Sequence, residues 1–394
     1  MRPISLSRIF LIFLKTGAIS FGGNIALVAS VRKELCEKRK LFSDEYLLDL
    51  TTLGNVLPGP LATNVVGACG FALRGMAGAT AAIIGILLPA FVLVCGLSEI
   101  YFRYGTDPLV SSVFSGLLPG VAAVIAYTAW SMAKKSVKNV LQILILIAAG
   151  ALMLFLKGAL VTLAIVAVAG CIGYFFLNEQ ELKTKDERLS SKRSWWPLGV
   201  TVLMFALGLV VFLFHPLSLL LQELRMLSLT FGSMSVTLFG GGYVFIPAIE
   251  KVVVGMHHWV TSKEFADGIA MGQVTPGPIA ITAAFVGYKV AGVWGALVST
   301  ITIFVPPTML MLIAQQFLNW IKKKPSVEFI FRGIRPAVIG MIVASVWVIG
   351  RNSPHDWQSV FIFASMFAFS LWKNPDTAVV VSISGVLGFL LHLI

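Results

Sequence analysis

The sequence predicts an all-α polytopic membrane protein of two homologous halves in inverted topology, with broken transmembrane helices. Three observations carry that expectation. The first is composition: of 394 residues, 57% are hydrophobic and 12% charged, with a mean hydropathy of +0.90, whereas a soluble protein carries about 25% charged residues. The second is a set of charge-free runs, 50–73, 75–98, 108–133, 158–178, 194–222, 226–249, 268–288, 290–321 and 336–350. A hydrocarbon core needs about 20 apolar residues per helix. Backbone groups in lipid must be satisfied within the segment, so the spans are helices. The third is an internal repeat.

Phe21-Gly22-Gly23 and Pro58-Gly59-Pro60 recur as Phe239-Gly240-Gly241 and Pro276-Gly277-Pro278, each shifted by 218 positions (239 − 21 and 276 − 58). Lys33 falls on Lys251, Asp49 on Asp267, Gly54 on Gly272 and Val56 on Val274. With one residue deleted the register continues: Gly70 on Gly287, Gly75 on Gly292, Gly78 on Gly295, Pro89 on Pro306, Gly116 on Gly333, Pro119 on Pro336 and Trp130 on Trp347. A register held over this length reads as duplication.

The elements follow in order. Helices are expected at 5–31, 43–73 (broken at Pro58-Gly59-Pro60), 76–102, 108–133, 137–156 and 159–178. A polar linker, 179–193, has five basic and four acidic residues, and an unpaired helix follows at about 196–214. The second set is 218–250, 261–289 (broken at Pro276-Gly277-Pro278), 292–320, 326–350, 355–372 and 376–393. This divides the chain into a first repeat (1–178), a linker with the unpaired helix (179–217) and a second repeat (218–394).

Orientation follows from parity. If each broken helix crosses once, six spans per half and one between them make thirteen, and the halves are inverted repeats. Lys134, Lys135, Lys138, the linker and Lys322-Lys323-Lys324 then share the N-terminal side, the cytoplasm by the positive-inside rule. The basic stretch 32–40 is left outside, against the rule. Re-entrant hairpins at the two broken helices would instead move the linker and the Lys134 cluster outside, so single crossing, or its equivalent in parity, is the preferred reading.

Several function classes are excluded. Arg2, Arg8 and Lys15 interrupt the start and no small-residue cleavage site follows, so the first span reads as a permanent helix, not a signal. Cys36, Cys69, Cys95 and Cys171 are scattered without CxxC spacing and read as packing residues. No GxxxxGK[ST] motif is present, so ATP does not drive this protein. No cofactor and no metal site is expected. An enzyme acting on lipid would need clustered His, Asp or Glu, and the chain has only five His and 18 acidic residues, mostly in loops.

The Pro-Gly-Pro elements are the candidate site. Pro60 and Pro278 suit the first turn of a half-helix, Pro58 and Pro276 end the one before, and Gly59 and Gly277 let the chain bend. Each second half-helix presents free N–H groups and a positive dipole end. Thr63, Asn64 and Thr282 lie in its first turn; Asn55, Gln273 and Thr275 lie just before the break. A polar, electropositive spot without a fixed acid suits an anion; a plain proline kink is the competing reading. Gly22, Gly23, Asn24 and Gly240, Gly241, Gly242 serve either close helix packing or a second break at the same site. Lys15 should face a polar cavity or snorkel. Asp49 and Asp267 either cap and pair locally or take a proton during transport. His257 and His258, beside Trp259, read as interfacial. The net charge of +12 reflects basic cytoplasmic loops and a field that attracts anions.

At these residues the chain resembles the chromate ion transporter family over nearly its whole length. The likeness rests on Phe21-Gly22-Gly23, the basic stretch 32–40, Leu57-Pro58-Gly59-Pro60 with Thr63, Phe239-Gly240-Gly241-Gly242 and Thr275-Pro276-Gly277-Pro278. One departure is Asn24, where the family often has proline. The resemblance implies a bacterial inner-membrane carrier of two opposed halves, exporting chromate with sulfate as structural analogue. The function expected is secondary active transport of a tetrahedral oxyanion by alternating access, the alternative being an anion channel of the same fold. The expected partners are that oxyanion and the lipid bilayer, with no nucleic acid and, beyond the monomer, a homodimer.

Overall fold

Four side chains start helices where the sequence places them. Ser5, Ser43, Asn139 and Thr261 each accept from the backbone N–H three residues on, and Glu264 returns the bond to complete a capping box. The helices so begun are α1 (Leu6–Ile19), α3 (Asp44–Val56), α6 (Val140–Phe155) and α10 (Ser262–Val274). The remainder are α2 (Gly23–Arg32, continued by a π turn Lys33–Lys38), α4 (Leu61–Tyr104), α5 (Pro108–Ser136), α7 (Leu160–Phe176), α8 (Leu219–Thr237) and α9 (Phe245–Val253). After a 3-10 turn (Ile279–Ile281) come α11 (Thr282–Gln316), α12 (Pro325–Gly350), α13 (Trp357–Lys373) and α14 (Thr377–His392). This computed structural model describes residues 4–20, 23–104, 108–156, 160–177, 199, 218–237, 245–317, 325–351, 353, 356–373, 375 and 377–392, and among them there is no strand.

Helices α4 and α11 each contain a reversal at matched positions. Arg74-Gly75 and Ala291-Gly292 leave helical geometry, with Gly75 at φ +62° and Gly292 at φ +58°. These are left-handed conformations that glycine adopts without strain. The arms fold back closely enough that a β-carbon on Gly70 would lie 2.5 Å from the Gly78 carbonyl; Gly287 and Gly295 make the equivalent contact.

The arm before each reversal is the return limb of a hairpin. In the first half, Gln315 Nε2 donates both to Tyr46 Oη (2.7 Å), at the start of α3, and to the Ala68 carbonyl (3.3 Å), near the end of arm 61–73. Gly54 lies against Leu61 and Val65. In the second half, Gly268 lies against Phe285 and Gly272 against Thr282. Residues on either side of each Pro-Gly-Pro thus pair antiparallel, and the broken helices turn back at their tips. The preceding pair does the same. Ile4, Arg8, Ile12 and Lys15 line one cavity with Glu34, Lys38, Arg39 and Leu41, so α1 and α2 open toward a common face. In the second half, Thr230 Oγ1 meets His257 Nε2 at 3.2 Å and Phe231 packs on Trp259. Burial lowers the His257 imidazole pKa.

The halves enter from opposite faces. Arg74 bonds the Ile4 carbonyl, so both hairpins of the first half open on the N-terminal face. The arm 76–104 then runs to the other side, where Tyr101 meets Asp267, Glu99 meets Tyr288, and Lys289 lies over Phe102. These are the open-end residues of the second half's hairpin. The arm 293–316 runs the other way, ending with Gln315 at the first half's hairpin. The repeats are therefore inverted.

One expectation needs correcting. The broken helices do not cross once, and 5–31 and 218–250 are not single spans. By the contacts of the described residues on either side of each break, all four fold back, leaving four crossings in each half instead of six. Parity is kept because two elements per half changed, not one. The stretch 32–40 therefore lies on the N-terminal face with Lys134 and Lys138, which removes the conflict with the positive-inside rule. At the opposite face Arg103, Lys289 and Arg351 are matched by Glu99, Glu264 and Glu250. The unpaired helix at 196–214 lies outside the described residues except Gly199, which is helical; Lys322-Lys323-Lys324 also lie outside.

Helices α5–α7 and α12–α14 surround the hairpins. Their backbones touch where Gly116 meets Gly388, Gly150 meets Gly340 and Gly173 meets Gly333, the close approach that small residues permit in lipid. Ile143, Leu144, Ile147, Val168, Ile383 and Val386 point outward and exposed, as a bilayer requires. Leu61–Tyr104, Ser115–Lys134, Ile279–Gln316 and Phe329–Gly350 contain windows long and apolar enough to cross one.

A labelling experiment separates this topology from single crossing. In a cysteine-depleted background, Glu37→Cys and Lys138→Cys should react with an impermeant reagent from the same side, and Met256→Cys from the other. Single crossing would instead put residue 37 opposite residue 138, with residue 256 on the side of residue 138.

Candidate functional site

The hairpin tips meet midway through the bundle. Leu57 and Thr275 are extended, as residues before proline are. Gly59 then takes φ +96° and Gly277 φ +128°. Each tip abuts the long arm of the opposite repeat at an equivalent place: Gly59 against Pro307, Gly277 against Ala90. Ala90 lies fourteen residues into its arm (90 − 76), about 21 Å along the helix. A direct bond joins the repeats, since Gly277 N–H donates to the Ser20 carbonyl at 3.0 Å. Ser20 is the last described residue before the Phe21-Gly22-Gly23 break. The second half's Pro-Gly-Pro tip therefore rests on the C-terminal end of α1.

The polar residues of the first turns are fully buried and mostly engaged. Thr63 Oγ1 donates to the Pro60 carbonyl (2.9 Å) and Asn64 Nδ2 to the Pro58 carbonyl (3.0 Å). Thr308, from the opposite repeat, reaches Asn64 Oδ1 at 3.4 Å. Thr282 Oγ1 donates to the Ile279 carbonyl (2.9 Å) and Thr275 Oγ1 to the Gly272 carbonyl (3.3 Å). A hydroxyl has one proton, so in this state these threonines close the tips and have none left to donate. This is the local side-chain-to-backbone bonding that short polar residues favour at turns.

Two other polar side chains at the junction are buried without partners. Gln273, one turn before Gly277, is 2% exposed, and neither its Oε1 nor its Nε2 has a hydrogen bond. Ser20 is 1% exposed and its Oγ is likewise unpaired. Each such group costs about 1–3 kcal/mol when left unmet. At the other tip, the N–H groups of Leu61, Ala62 and Thr63 open a half-helix and have no intrahelical acceptor. The Gly277–Ser20 junction thus has unused donors on Gln273 and Ser20, and the Gly59 tip has the positive end of a half-helix.

Of the expected site residues, Pro58, Gly59, Pro60, Thr63, Asn64, Gln273, Thr275, Pro276, Gly277, Pro278 and Thr282 are buried around the two tips. Gly23 and Asn24 open α2, and Asn55 lies in the last turn of α3; nothing further is described of their surroundings. Gly22, Gly240, Gly241 and Gly242 lie outside the described residues. Sequence reasoning missed Ser20 and Thr308. Ser20's only signal was its place before the glycine pair; Thr308 sits in an ordinary helical run.

The matched aspartates differ. Asp267 is 1% exposed, its Oδ2 accepts from Tyr101 at 2.6 Å, and its Oδ1 has no partner. Asp49 is half-buried. Lys15 faces the polar cavity expected for it, beside Arg8, Lys38 and Arg39. Among the described residues no group of three His, Cys, Asp or Glu is placed to hold a metal, and all four cysteines are free thiols.

Paired re-entrant hairpins in inverted halves, with tips meeting inside a helical bundle, define a multi-pass membrane transporter. The chain belongs to the chromate transporter family, whose model matches residues 7–174 and 225–389, once in each half. It is 31% identical over 388 residues to an uncharacterized transporter of Methanocaldococcus jannaschii, covering 98% of this chain and 94% of that one. It is 29% identical to a probable chromate transport protein of Synechococcus elongatus, covering 97% and 95%. It is 27% identical to the chromate transport protein of Cupriavidus metallidurans, covering 98% and 94%. No solved structure matches the chain.

Proposed function

We propose that this protein is a secondary active carrier of a tetrahedral oxyanion, with chromate as the substrate its relatives' names suggest and sulfate as its structural analogue. The anion is held between the hairpin tips and moved outward across the inner (plasma) membrane by alternating access. The observation that carries this reading is the junction itself, where Gly277 meets Ser20 and buried donors on Gln273 and Ser20 go unused. An oxyanion supplies the acceptors these donors lack. Inversion supplies the mechanism: swinging one repeat's hairpins away from the opposite long arm opens the tips to one face, and the equivalent motion of the other repeat opens them to the other. Burial of the described tip residues supports a carrier with an occluded form. A channel of this fold would keep a continuous path and pass ions faster than such a cycle allows.

The test is purified protein in liposomes, assayed for uptake of labelled sulfate, with chromate, molybdate and phosphate as competitors and with or without a pH gradient. Saturable uptake blocked by chromate supports the carrier; flux that does not saturate supports the channel. A dianion moved alone carries two charges, worth about 2.3 kcal/mol per charge per 100 mV, so uncompensated transport responds to voltage and proton-compensated transport responds to pH. We assign the compensating proton to Asp267, whose Oδ2 accepts from Tyr101 while Oδ1 has no hydrogen bond. Asp267→Asn should therefore abolish the effect of a pH gradient on flux, whereas Asp49→Asn should leave it. An unchanged pH response in Asp267→Asn removes that role.

A further inference from the structure

On the N-terminal face, α1 and the segment after α2 enclose a cavity of 610 Å³ that the tip site does not use. Its charged lining is Arg8, Lys15, Lys38, Arg39 and Glu34. Glu34 is the one carboxylate there, and it is already shared by Arg39 (2.8 Å) and Lys38 (3.3 Å). Arg8 and Lys15 have no carboxylate partner among the described residues. Four cations against one acid leave a surplus of three positive charges. Arg8, Ile12 and Lys15 stand four and three residues apart, on one face of α1, so the two unpaired cations form a stripe about 10 Å long. That stripe points along α1 toward Ser20, about 8 Å farther on.

We propose that this cavity is a second, low-affinity site for a tetrahedral oxyanion, which captures the anion at the cytoplasmic face and passes it along α1 to the tips. It rests on the oxyanion reading above. Clefts lined by one sign of charge concentrate counter-ions and raise capture rates, and the effect fades with salt. Arginine and lysine both recognise such an anion, arginine in forked geometry and lysine as a point charge. The phosphate of an anionic lipid shares this chemistry and is the competing occupant.

The experiment uses the whole protein in liposomes of zwitterionic lipid, with initial rates measured against labelled sulfate at low and at physiological ionic strength. Lys15→Gln and Arg8→Gln should each raise KM at least threefold at low salt and flatten its salt dependence, with the maximal rate kept; Lys15→Arg should restore both. Unchanged KM and salt dependence in correctly assembled variants overturns the capture site. A fall in maximal rate alone assigns these residues a structural role and overturns it too. A KM effect that appears only after anionic lipid is added makes a lipid headgroup the occupant, against the proposal. Binding gives the site its own readout if wild-type flux is absent. In the Gln273→Leu background, a weak, salt-sensitive heat of sulfate binding that disappears with Lys15→Gln supports capture, and its absence before that change refutes it.

Discussion

Gln273→Leu is expected to make the protein more heat-stable and to abolish oxyanion transport. The two effects have one cause. Gln273 keeps a buried amide with no hydrogen bond at either end, at a cost of about 1–3 kcal/mol. Leucine has a similar volume and no polar atoms, so that cost disappears on substitution. A residue kept for packing would show no such trade, whereas strained or unmet groups persist where function needs them. The expected outcome is a higher melting temperature with flux below a tenth of wild type. Both are read on one preparation, by thermal unfolding in detergent and uptake in liposomes. Wild-type flux with a raised melting temperature would make Gln273 an ordinary packing fault.

The second large effect belongs to the tip glycines. Gly59→Ala adds a β-carbon at φ +96°, directly into Pro307. Gly277→Ala adds one at φ +128°, 3.0 Å from the Ala90 β-carbon. Left-handed backbone costs a non-glycine residue about 1–3 kcal/mol, and the clash adds to it. Both substitutions should reduce flux at least tenfold. Gly59→Ala should be the more severe, because proline cannot move aside as readily as an alanine methyl. Gly75→Ala is the informative contrast: it meets the same backbone strain at φ +62°, but nothing lies within 4 Å of its β-carbon. It should lower stability while leaving substrate affinity unchanged. Equal loss of affinity in all three would mean that backbone strain, not tip contact, sets the effect.

Much of this architecture was legible in the sequence because duplication writes each structural feature twice. Gly75 and Gly292 both proved to be reversals, and Gly59 and Gly277 both proved to be tips. Helix limits from α5 to α7 and from α12 to α14 fall within a few residues of expectation, since charge-free runs between polar loops have few alternatives in lipid. The sense of the breaks was not legible. Pro-Gly-Pro interrupts hydrogen bonding equally well in a straight-through span and in a return. The deciding contacts, such as Gly54 on Val65 and Gly268 on Phe285, are tertiary. Matched Gly54 and Gly272, one turn before each break, are in retrospect the trace of that close return. The candidate site was half legible for a similar reason. Thr63, Asn64 and Thr282 stand in the first turns after the breaks, as expected, yet their short polar side chains satisfy nearby carbonyls first. Gln273 is too long to fold back so readily, and it is left with its amide unused.

The central claim is that the anion sits between the tips, against Gln273. Isothermal titration of sulfate into purified wild type and Gln273→Glu tests it most directly, because the substitution keeps shape and replaces a donor with a negative charge. Wild type should bind saturably, and Gln273→Glu should bind at least tenfold more weakly, a difference of about 1.4 kcal/mol. Equal affinity in a variant that unfolds as cooperatively as wild type would contradict the claim and move the site away from the hairpin tips.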